Sequence, residues 1–362
     1  MTFSGSYRSG EVEFLLKRLP LTAFASVREK EHLVRTARRH YSETLWPEAL
    51  PSERYRRLFH EARRANRDRM AADCLRLASL IAARQPGPIA IASLARAGTP
   101  IGVVVARLLS MVFGRPTRHF SISIIRDRGI DHVALRHILA QGYSPDSIVF
   151  VDGWTGKGVL ANDLISAVSD FNRAHGTTIS TGLHVLSDLA GVAACAATYE
   201  DYLMPTCLLN ATISGLISRT MLNDAIGPDD FHGCYVYDEL APYDESQPFV
   251  DELVLRAMAG QSAAGTPSCV QDRVTAAAIS RDALARVVRV YGVRDAHLVK
   301  PGIGEATRAL MRRVPERVLL RDADAASVAH LRELAHDKRV SVEYDPHIPY
   351  DAISILRWEP DD

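Results

Sequence analysis

The chain has 362 residues, 47% of them hydrophobic and 24% charged, and this length and composition predict two folded domains and exclude a disordered or fibrous chain. Its 43 basic residues are balanced by 43 acidic ones, so no overall charge attracts the protein to nucleic acid or to an anionic membrane. The longest apolar run, residues 101–113, is far shorter than the roughly 20 residues that cross a bilayer, and the N-terminus lacks the apolar core of a signal peptide. We therefore expect a cytoplasmic protein without membrane contact.

The predicted elements begin with a helical region at residues 28–84, where apolar side chains recur at helical spacing, with breaks near Pro47 and Pro51. After residues 86–88, short apolar segments that predict strands alternate with segments that predict helices. The predicted strands are 89–92, 119–125, 147–151 and 181–186, and the predicted helices are 101–113, 133–141 and 159–174. Strands this apolar are covered on both faces, which predicts an α/β fold with a doubly wound parallel sheet. Ligands of such sheets bind beyond the carboxyl ends of the strands.

Residues 260–268 mark the predicted boundary between two domains. Gly, Ala, Ser, Thr and Pro dominate this segment, a composition typical of flexible linkers across which few contacts pass. We place a large α/β domain with its N-terminal helical extension at residues 1–262 and a small α/β domain at residues 269–362. We expect the small domain to fold by itself and to supply recognition, while the chemistry belongs to the large one.

Five cysteines are widely spaced and odd in number: Cys74, Cys195, Cys207, Cys234 and Cys269. No CxxC pair indicates zinc or a redox motif, so we interpret them as buried, reduced thiols. A catalytic cysteine remains an alternative, because a nucleophile needs only one thiol beside a histidine, and 13 histidines are present. No cysteine lies in a recognisable nucleophile motif, so we expect no single one to be essential.

The segment after the third predicted strand is the most informative part of the chain. An apolar strand ends in Asp152, and a turn of mostly small residues then opens a helix: Gly153, Trp154, Thr155, Gly156, Lys157 and Gly158. Such a turn brings backbone N–H groups and the positive end of a helix around a phosphate. Asp152 could meet ribose hydroxyls or hydrated Mg²⁺, and Lys157 adds a charge. The spacing matches neither a Walker loop nor a dinucleotide fingerprint, and a glycine turn without a ligand is the alternative.

This loop resembles the ribose-phosphate-binding motif of type I phosphoribosyltransferases, with Asp152 and Thr155 in register and Val151 in place of the first of two adjacent acids. The wider chain resembles a bacterial family of predicted phosphoribosyltransferases linked to tellurite-resistance gene clusters, some members of which are labelled cysteine protease StiP. The resemblance covers nearly the whole chain. Its most specific strings are residues 4–7, 126–131 and 209–220.

The resemblance implies a type I phosphoribosyltransferase-like sheet that binds 5-phosphoribosyl-1-pyrophosphate (PRPP). Residues 152–158 would hold its ribose 5-phosphate, and a loop after the first core strand would hold its pyrophosphate, through Ser93, Arg96, Ala97, Gly98 and Thr99. The candidate catalytic residues are Asp152 and Arg126. Arg126 belongs to a charged segment that stands in the place of the mobile catalytic loop of such enzymes. Mg²⁺ would arrive with PRPP near Asp152, and the protein alone is expected to hold no metal. The implied reaction is phosphoribosyl transfer to an unidentified base or nucleotide-like metabolite, or its reverse.

Residues 299–310 resemble the entry of Pelota and related RNA-binding folds, in which a glycine turn starts a helix whose N-terminus meets RNA backbone. The resemblance implies a small Pelota-like domain and makes Lys300, Gly302 and Arg308 candidates for contact with RNA or another partner. Two alternatives to the transferase remain open. One is a cysteine peptidase, as the family label suggests. The other is a non-enzymatic regulator that senses PRPP or binds RNA.

Overall fold

The structure is a computed structural model, and it describes residues 2–20, 40–43, 48, 50–260 and 270–358. Three features considered in the sequence lie outside the described residues. They are Cys269, most of the linker segment, and the first part of the predicted helical region, at residues 28–39. Within the described ranges, no helix combines the length and the apolar character that crossing a bilayer requires.

The first long helix, α1 (Glu53–Arg84), begins directly after Pro51. The Ser52 hydroxyl accepts a hydrogen bond from the backbone N–H of Tyr55 and so caps its first turn. The helix ends before the Pro86-Gly87-Pro88 sequence, because proline cannot continue the helical hydrogen bonds. Most side chains buried by α1 lie in its second half, between Met70 and Ala82. This half packs against the central sheet.

The central sheet has seven strands: β1 (Glu13–Phe14), β3 (Ile89–Ala95), β4 (Thr117–Ile125), β5 (Gly129–Ile130), β6 (Ile148–Thr155), β7 (Leu183–Asp188) and β8 (Cys195–Thr198). Six of them follow the order β1, β4, β3, β6, β7, β8, and β5 pairs with β4. The pairs along this order are all parallel, and only β5 is antiparallel. The predicted α/β fold with a mostly parallel sheet is therefore confirmed.

Helices cover both faces of this sheet, as the apolar strands predict. One face carries α1 together with α2 (Thr99–Met111) and α5 (Ser246–Ala259). The other carries α3 (His132–Ala140) and α4 (Val159–His175). The short strand β2 (Lys17–Arg18) pairs with β9 (Gly233–Cys234) outside the main sheet and holds the N-terminal segment against the domain. The predicted helices at 101–113, 133–141 and 159–174 match α2, α3 and α4 to within two residues.

The C-terminal part has a separate sheet of four strands in the order β10, β13, β11, β12. Its elements are α6 (Val270–Tyr291), β10 (Val299–Pro301), α7 (Ile303–Arg312), β11 (Arg317–Leu320), α8 (Ala329–Asp337), β12 (Ser341–Tyr344) and β13 (Ala352–Ile355). Val287 of α6 packs with Val299, Leu319 and Ile353 in its core. The α/β character predicted for this domain is present, and the boundary at residues 262–269 stays a prediction.

The two domains make extensive contacts, so the expectation that few contacts cross between them is wrong. The Asp201 carboxylate of the first domain accepts hydrogen bonds from the backbone N–H groups of Ile303 and Asp351. Tyr350 donates its hydroxyl hydrogen to the carbonyl oxygen of Leu189 at 3.2 Å. The second domain thereby covers part of the carboxyl edge of the parallel sheet.

Candidate functional site

A cavity of about 200 Å³ lies at the carboxyl edge of the parallel sheet, between the two domains. The first domain contributes the end of β4, the end of β6 and the start of α4, while the second contributes β10 and α7. The lining residues with polar or aromatic side chains are Arg126, Asp152, Trp154, Thr155, Lys157, Lys300, Glu305 and Arg308. The sequence predicted the large-domain loop and the small-domain cations as separate sites. The structure brings them together in this interdomain cavity.

Strand β6 is longer than predicted and runs through Thr155, so the turn before α4 contains only residues 156–158. The extension is stabilised by pairing with β7, in which Thr155 lies opposite Asp188. The Thr155 hydroxyl donates to the Asp188 carboxylate, which also accepts the backbone N–H of Ala193 at 2.8 Å. The Thr155 hydroxyl is therefore already bonded within the first domain. Its predicted contact with a phosphate is not supported by this arrangement.

Asp152 lies on β6 at the floor of the cavity and is only 8% exposed. Burial raises the pKa of its carboxyl group to about 6, while the Gly153 backbone N–H and the Arg308 charge act in the opposite direction. The Gly153 N–H donates to Asp152 Oδ1 at 2.8 Å. Gly153 itself does not line the cavity. Asp152 can thus exchange a proton near neutral pH.

Lys157 joins the turn to the second domain. Its ammonium group donates to the carbonyl oxygens of Ala296 at 2.8 Å and His297 at 3.1 Å. Burial and the neighbouring charge of Lys300 lower the pKa of Lys157 to about 8. The side chain still borders the cavity, so Lys157 both connects the domains and adds positive charge to the site.

Helix α7 forms the opposite wall. The Arg308 guanidinium lies 4.2 Å from the centroid of the Trp154 ring, a cation–π contact that spans the two domains. Glu305 approaches the turn so closely that a Cβ at Gly156 would lie 2.8 Å from its Cγ, which explains the glycine. Lys300, on β10, has a pKa lowered by burial, and the charges of Arg313 and Arg126 act in the same direction. Lys300 and Arg308 therefore face the first domain.

The N-terminus of α7, predicted to meet RNA backbone, is occupied by Asp201 of the first domain. Gly302 has φ of +88°, a conformation that favours glycine, and the backbone N–H of Ile303 donates to Asp201 Oδ1 at 2.9 Å. The Asp351 N–H donates to Oδ2 at 3.0 Å. Burial raises the pKa of Asp201 to about 7. No motif marked Asp201 in the sequence, because its partners lie about a hundred residues or more further along the chain.

The predicted pyrophosphate loop does not line the cavity. Arg96 forms an ion pair with Glu48 and donates to the carbonyl oxygen of Ile217 at 2.9 Å. The Ser93 hydroxyl is 2.7 Å from Nε2 of His119, and the Thr99 hydroxyl is 2.8 Å from that of Ser121. The polar side chains of Ser93, Arg96 and Thr99 are thus engaged within the domain, and the neighbouring Ala97 and Gly98 also lie outside the cavity.

The charged segment at residues 126–131 is a short hairpin in which β5 returns along β4. The hairpin ends at Asp131, which caps the N-terminus of α3. One oxygen of its carboxylate accepts a hydrogen bond from the backbone N–H of Ala134 at 3.0 Å. Its other carboxylate oxygen accepts the N–H of His232 at 2.6 Å. Arg126 is exposed and lines the interdomain cavity, as its position at the end of β4 predicts.

All four described cysteines are buried and carry no disulfide. Burial raises the pKa of Cys207 and Cys234 to about 12 and raises that of Cys74 further. The Cys195 pKa is also raised by burial, but Arg84 at the end of α1 lowers it through its charge and a hydrogen bond to the thiol. Arginine charges also lower the pKa of Cys207 and Cys234, and at Cys195 a hydrogen bond with Arg84 adds to the effect of the charge.

Cys195 lies opposite His184 in the parallel pair of β8 and β7. Side chains paired in this register share one face of the sheet, here the face covered by α1. His184 Nδ1 is 3.2 Å from the carbonyl oxygen of Phe150, and because a carbonyl only accepts, this nitrogen carries the proton. Burial lowers the pKa of His184 to about 4, so its imidazole is neutral at pH 7. The sequence gave no sign of this pair, because strand register is set by tertiary structure.

Together these features define an α/β protein with a charged interdomain cavity at one end of its parallel sheet and with Cys195 and His184 on neighbouring strands at the other. Residues 5–254 match the family described as tellurite-like stress resistance cysteine protease StiP, and residues 278–358 match the PELOTA RNA binding domain. The cysteine protease StiP of Acinetobacter baylyi is 38% identical over 371 residues, covering 98% of this chain and 94% of that protein. The chain belongs to the StiP family.

Two solved phosphoribosyltransferases are much more distant. The hypoxanthine phosphoribosyltransferase of Trypanosoma cruzi is 15% identical with a TM-score of 0.28, covering 36% of this chain and 77% of that one. An asparagine mutant from a study of an invariant aspartic acid in such enzymes is 14% identical with a TM-score of 0.26, covering 36% and 75%. Likenesses this weak carry no argument about function.

The implied PRPP-dependent transferase is therefore wrong as the function of this chain. The family and its curated relative are named as cysteine proteases, and a cysteine peptidase is one of the two alternatives that the sequence left open. The internal engagement of Thr155 and Arg96 agrees with this correction. Within the described ranges, no cluster of three or more His, Cys, Asp or Glu side chains is arranged to hold a metal ion. The expectation of Mg²⁺, which came with PRPP, stays a prediction.

Proposed function

We propose that this chain is a cysteine peptidase in which Cys195 is the nucleophile and His184 is its general base. The observation that carries the proposal is their opposite position in adjacent strands, with Arg84 against the thiol. The family name supports the class of activity. The proposal reverses our expectation from the sequence that no single cysteine is essential.

The protonation state of the pair suits this role. The hydrogen bond to Phe150 leaves His184 Nε2 unprotonated, so it can accept the proton of the Cys195 thiol. The thiolate would attack the carbonyl carbon of a peptide bond, and the protonated imidazole would return the proton to the leaving amine as the C–N bond breaks. Water then hydrolyses the thioester and regenerates the thiol. The Arg84 charge stabilises the thiolate throughout.

The position of Cys195 indicates how a substrate would approach. Strand β8 is the last strand of the parallel sheet, and an extended peptide can bind beside such an edge through backbone hydrogen bonds. Cys195 is 5% exposed, so side chains around the end of α1 must move for the thiol to reach a peptide. Arg84 at this end is exposed and can move without disrupting the core.

The test compares single variants with the wild type in two assays. One measures the rate at which fluorescently labelled casein is cleaved, and the other measures the rate at which iodoacetamide alkylates Cys195. We expect Cys195→Ser to lower the cleavage rate by at least about a thousandfold, because serine is far less acidic than cysteine without further activation. His184→Gln should give a similar loss and also shift the pH dependence of alkylation at Cys195 to that of a thiol without a base. Cys234→Ser is the matched control and should keep the wild-type rate. Full activity in folded Cys195→Ser would overturn the proposal.

RNA binding by the second domain is a second candidate function. The match of residues 278–358 to an RNA-binding domain favours it, and Lys300 and Arg308 supply positive charge. Both side chains face the first domain, and Asp201 occupies the N-terminus of α7, so the candidate RNA contacts are covered in this arrangement. Fluorescence anisotropy of labelled RNA with the full chain tests this candidate.

A further inference from the structure

A second and larger cavity, of about 660 Å³, lies at the open edge of the parallel sheet, where β8 has no further partner among the described strands. We propose that this edge cavity binds the substrate of the peptidase, whose activity is itself the function proposed above, and that it takes an extended peptide segment with a large uncharged side chain. The edge cavity shares no lining residue with the charged interdomain cavity.

The edge cavity continues the strand that carries the thiol. Cys195 begins β8, and Ala197 and Thr198, at the other end of this strand, line the cavity. Cys195 and Ala197 are two residues apart, so their side chains lie on the same face of the sheet, where both pack in the cluster that includes α1. A peptide beside β8 with its scissile bond at Cys195 therefore reaches the cavity two or three residues away, about 7–10 Å along the strand.

The backbone of β8 supplies hydrogen-bonding groups along this path. The N–H of Ala194 donates to the carbonyl oxygen of Leu183 at 2.9 Å and so faces β7. Backbone groups of successive residues in a strand point to opposite sides, so those of Cys195 and Ala197 point to the open edge. An extended peptide can pair with such an edge as an added strand.

Helix α1 forms a wall along the same path. Arg84 lies against the thiol, and Arg76, eight residues earlier in α1, lines the edge cavity. Eight residues span about 12 Å of an α-helix, which is close to the distance from Cys195 to the cavity along β8. The helix and the strand edge therefore run side by side from the thiol to the cavity, as an extended substrate requires.

The charged groups of the lining favour a substrate segment without a charge. Arg69 forms an ion pair with Glu200, and Arg321 forms one with Asp351, and all four residues line the edge cavity. Asp201, which also lines it, is already bonded to the start of α7. A charged substrate side chain would have to break one of these contacts or enter a partly enclosed site without a partner, and either costs free energy.

Apolar side chains between these charges provide the contact surface for the substrate. Leu189, Ala276, Ile279 and Pro349 line this part of the edge cavity. Ile279 of α6 is 42% exposed, so a substrate side chain that packs on it removes apolar surface from water. A volume of about 660 Å³ lies in the range of roughly 300–1,000 Å³ typical of ligand pockets and accommodates a large side chain together with the adjacent backbone.

The experiment uses an alanine hexapeptide and variants of it in which each position in turn is Phe, Glu or Lys, and mass spectrometry identifies the cleaved bond. We expect Phe to raise kcat/KM by at least about tenfold at one position, two or three residues from the cleaved bond, and Glu and Lys to give no gain there. Ile279→Trp fills the cavity, so it should remove the preference for Phe and leave cleavage of the alanine peptide unchanged. Val290→Trp, at a 53% exposed side chain of the same helix outside the cavity, is the matched control and should retain the preference.

Binding without cleavage separates this inference from the peptidase proposal. Fluorescence anisotropy measures the affinity of the same peptides, labelled with a fluorophore, for the Cys195→Ser protein. The best Phe peptide should bind about tenfold more tightly than the alanine peptide, and adding Ile279→Trp should abolish the difference. Selective binding in a protein whose wild type cleaves nothing would support the edge cavity and count against the cysteine chemistry. Equal binding of the Phe, Ala and Glu peptides by folded protein would overturn the inference, as would a preference for Phe that Ile279→Trp retains.

Discussion

At the scale of single residues, three buried carboxyl groups of the first domain depart most clearly from ordinary behaviour. Burial raises the pKa of Asp73 and Asp152 to about 6 and that of Asp201 to about 7, from a usual value of 3.8. The folded chain therefore holds protons on these groups that the unfolded chain has already lost. Their contribution to stability is complete below about pH 4 and is lost as the pH rises towards 7.

Asp201 gives the sharpest prediction from these carboxyl groups. Between pH 5 and pH 8 we expect Asp201 to lower the free energy of unfolding by about 2–4 kcal/mol. Buried histidines such as His119, His184 and His330 act in the opposite direction, because burial lowers their pKa and the folded chain binds fewer of their protons than the unfolded chain. Asp201→Asn cannot titrate, so it should lack the Asp201 contribution to the slope, and it should be less stable than the wild type at pH 5 because an amide group meets a backbone N–H. Urea denaturation across this pH range measures the slopes. Equal slopes in the two proteins would show that Asp201 does not titrate there.

At the scale of elements, the sequence predicted the alternation of strands and helices well, because each element carries its own apolar pattern. The predicted helix at 159–174 and the structural helix Val159–His175 differ by a single residue. Pairings between distant segments were not predicted, since no local pattern encodes them. For this reason the sequence did not show that Thr155 belongs to β6, that His184 lies opposite Cys195, or that Asp201 caps α7.

The residues of the interdomain cavity could be predicted where a local pattern marks them, and they were missed where only contacts between distant segments place them. Arg126, Asp152 and Lys157 follow the ends of predicted strands, where a parallel sheet places its ligands, and all three line the cavity. Arg96 also follows a strand end, but Glu48 and Ile217, both distant in the chain, engage its side chain. Glu305 was missed because its approach to Gly156 depends on how the second domain packs against the first.

The start of α7 tests the domain contact by comparison of two glycines with positive φ. Gly302 has φ of +88° and Gly142 has φ of +90°, and Gly302, with ψ of 154°, also lies in a region that only glycine adopts readily. A Cβ at Gly302 would lie 2.5 Å from Cδ1 of Leu189, whereas a Cβ at Gly142 would meet nothing within 4 Å. We expect Gly302→Ala to cost roughly 1–3 kcal/mol more than Gly142→Ala in thermal unfolding. Equal losses would mean that the interface adapts without cost.

At the scale of the whole molecule, the packing of the two domains decides which surfaces are available. The carboxylate of Asp201 lies where an RNA phosphate would meet the N-terminus of α7, and Lys300 and Arg308 close a cavity instead of facing solvent. RNA binding through these residues therefore requires the domains to separate.

The covered position of these residues leads to a prediction for RNA. Asp201→Lys removes the cap on α7 and places a positive charge in the interface, so it should open the domains and tighten binding of labelled RNA by about tenfold. Asp229→Lys, at a side chain that is 97% exposed, makes the same charge change away from the interface and should have little effect. Fluorescence anisotropy over a range of salt concentrations measures both. Equal affinities for the two variants would argue against an RNA site covered by the first domain.

The pairing of the first strands also affects how the protein is made. Phe14 lies beside Ser121 in the main sheet, and Lys17 pairs with Gly233, so the partners of the N-terminal segment are translated long after it. Buried side chains such as Tyr7 and Phe14 cannot reach their final positions until the ribosome has released the chain beyond Cys234. During synthesis of most of the first domain, this apolar leading segment is consequently available to chaperones that bind exposed hydrophobic stretches.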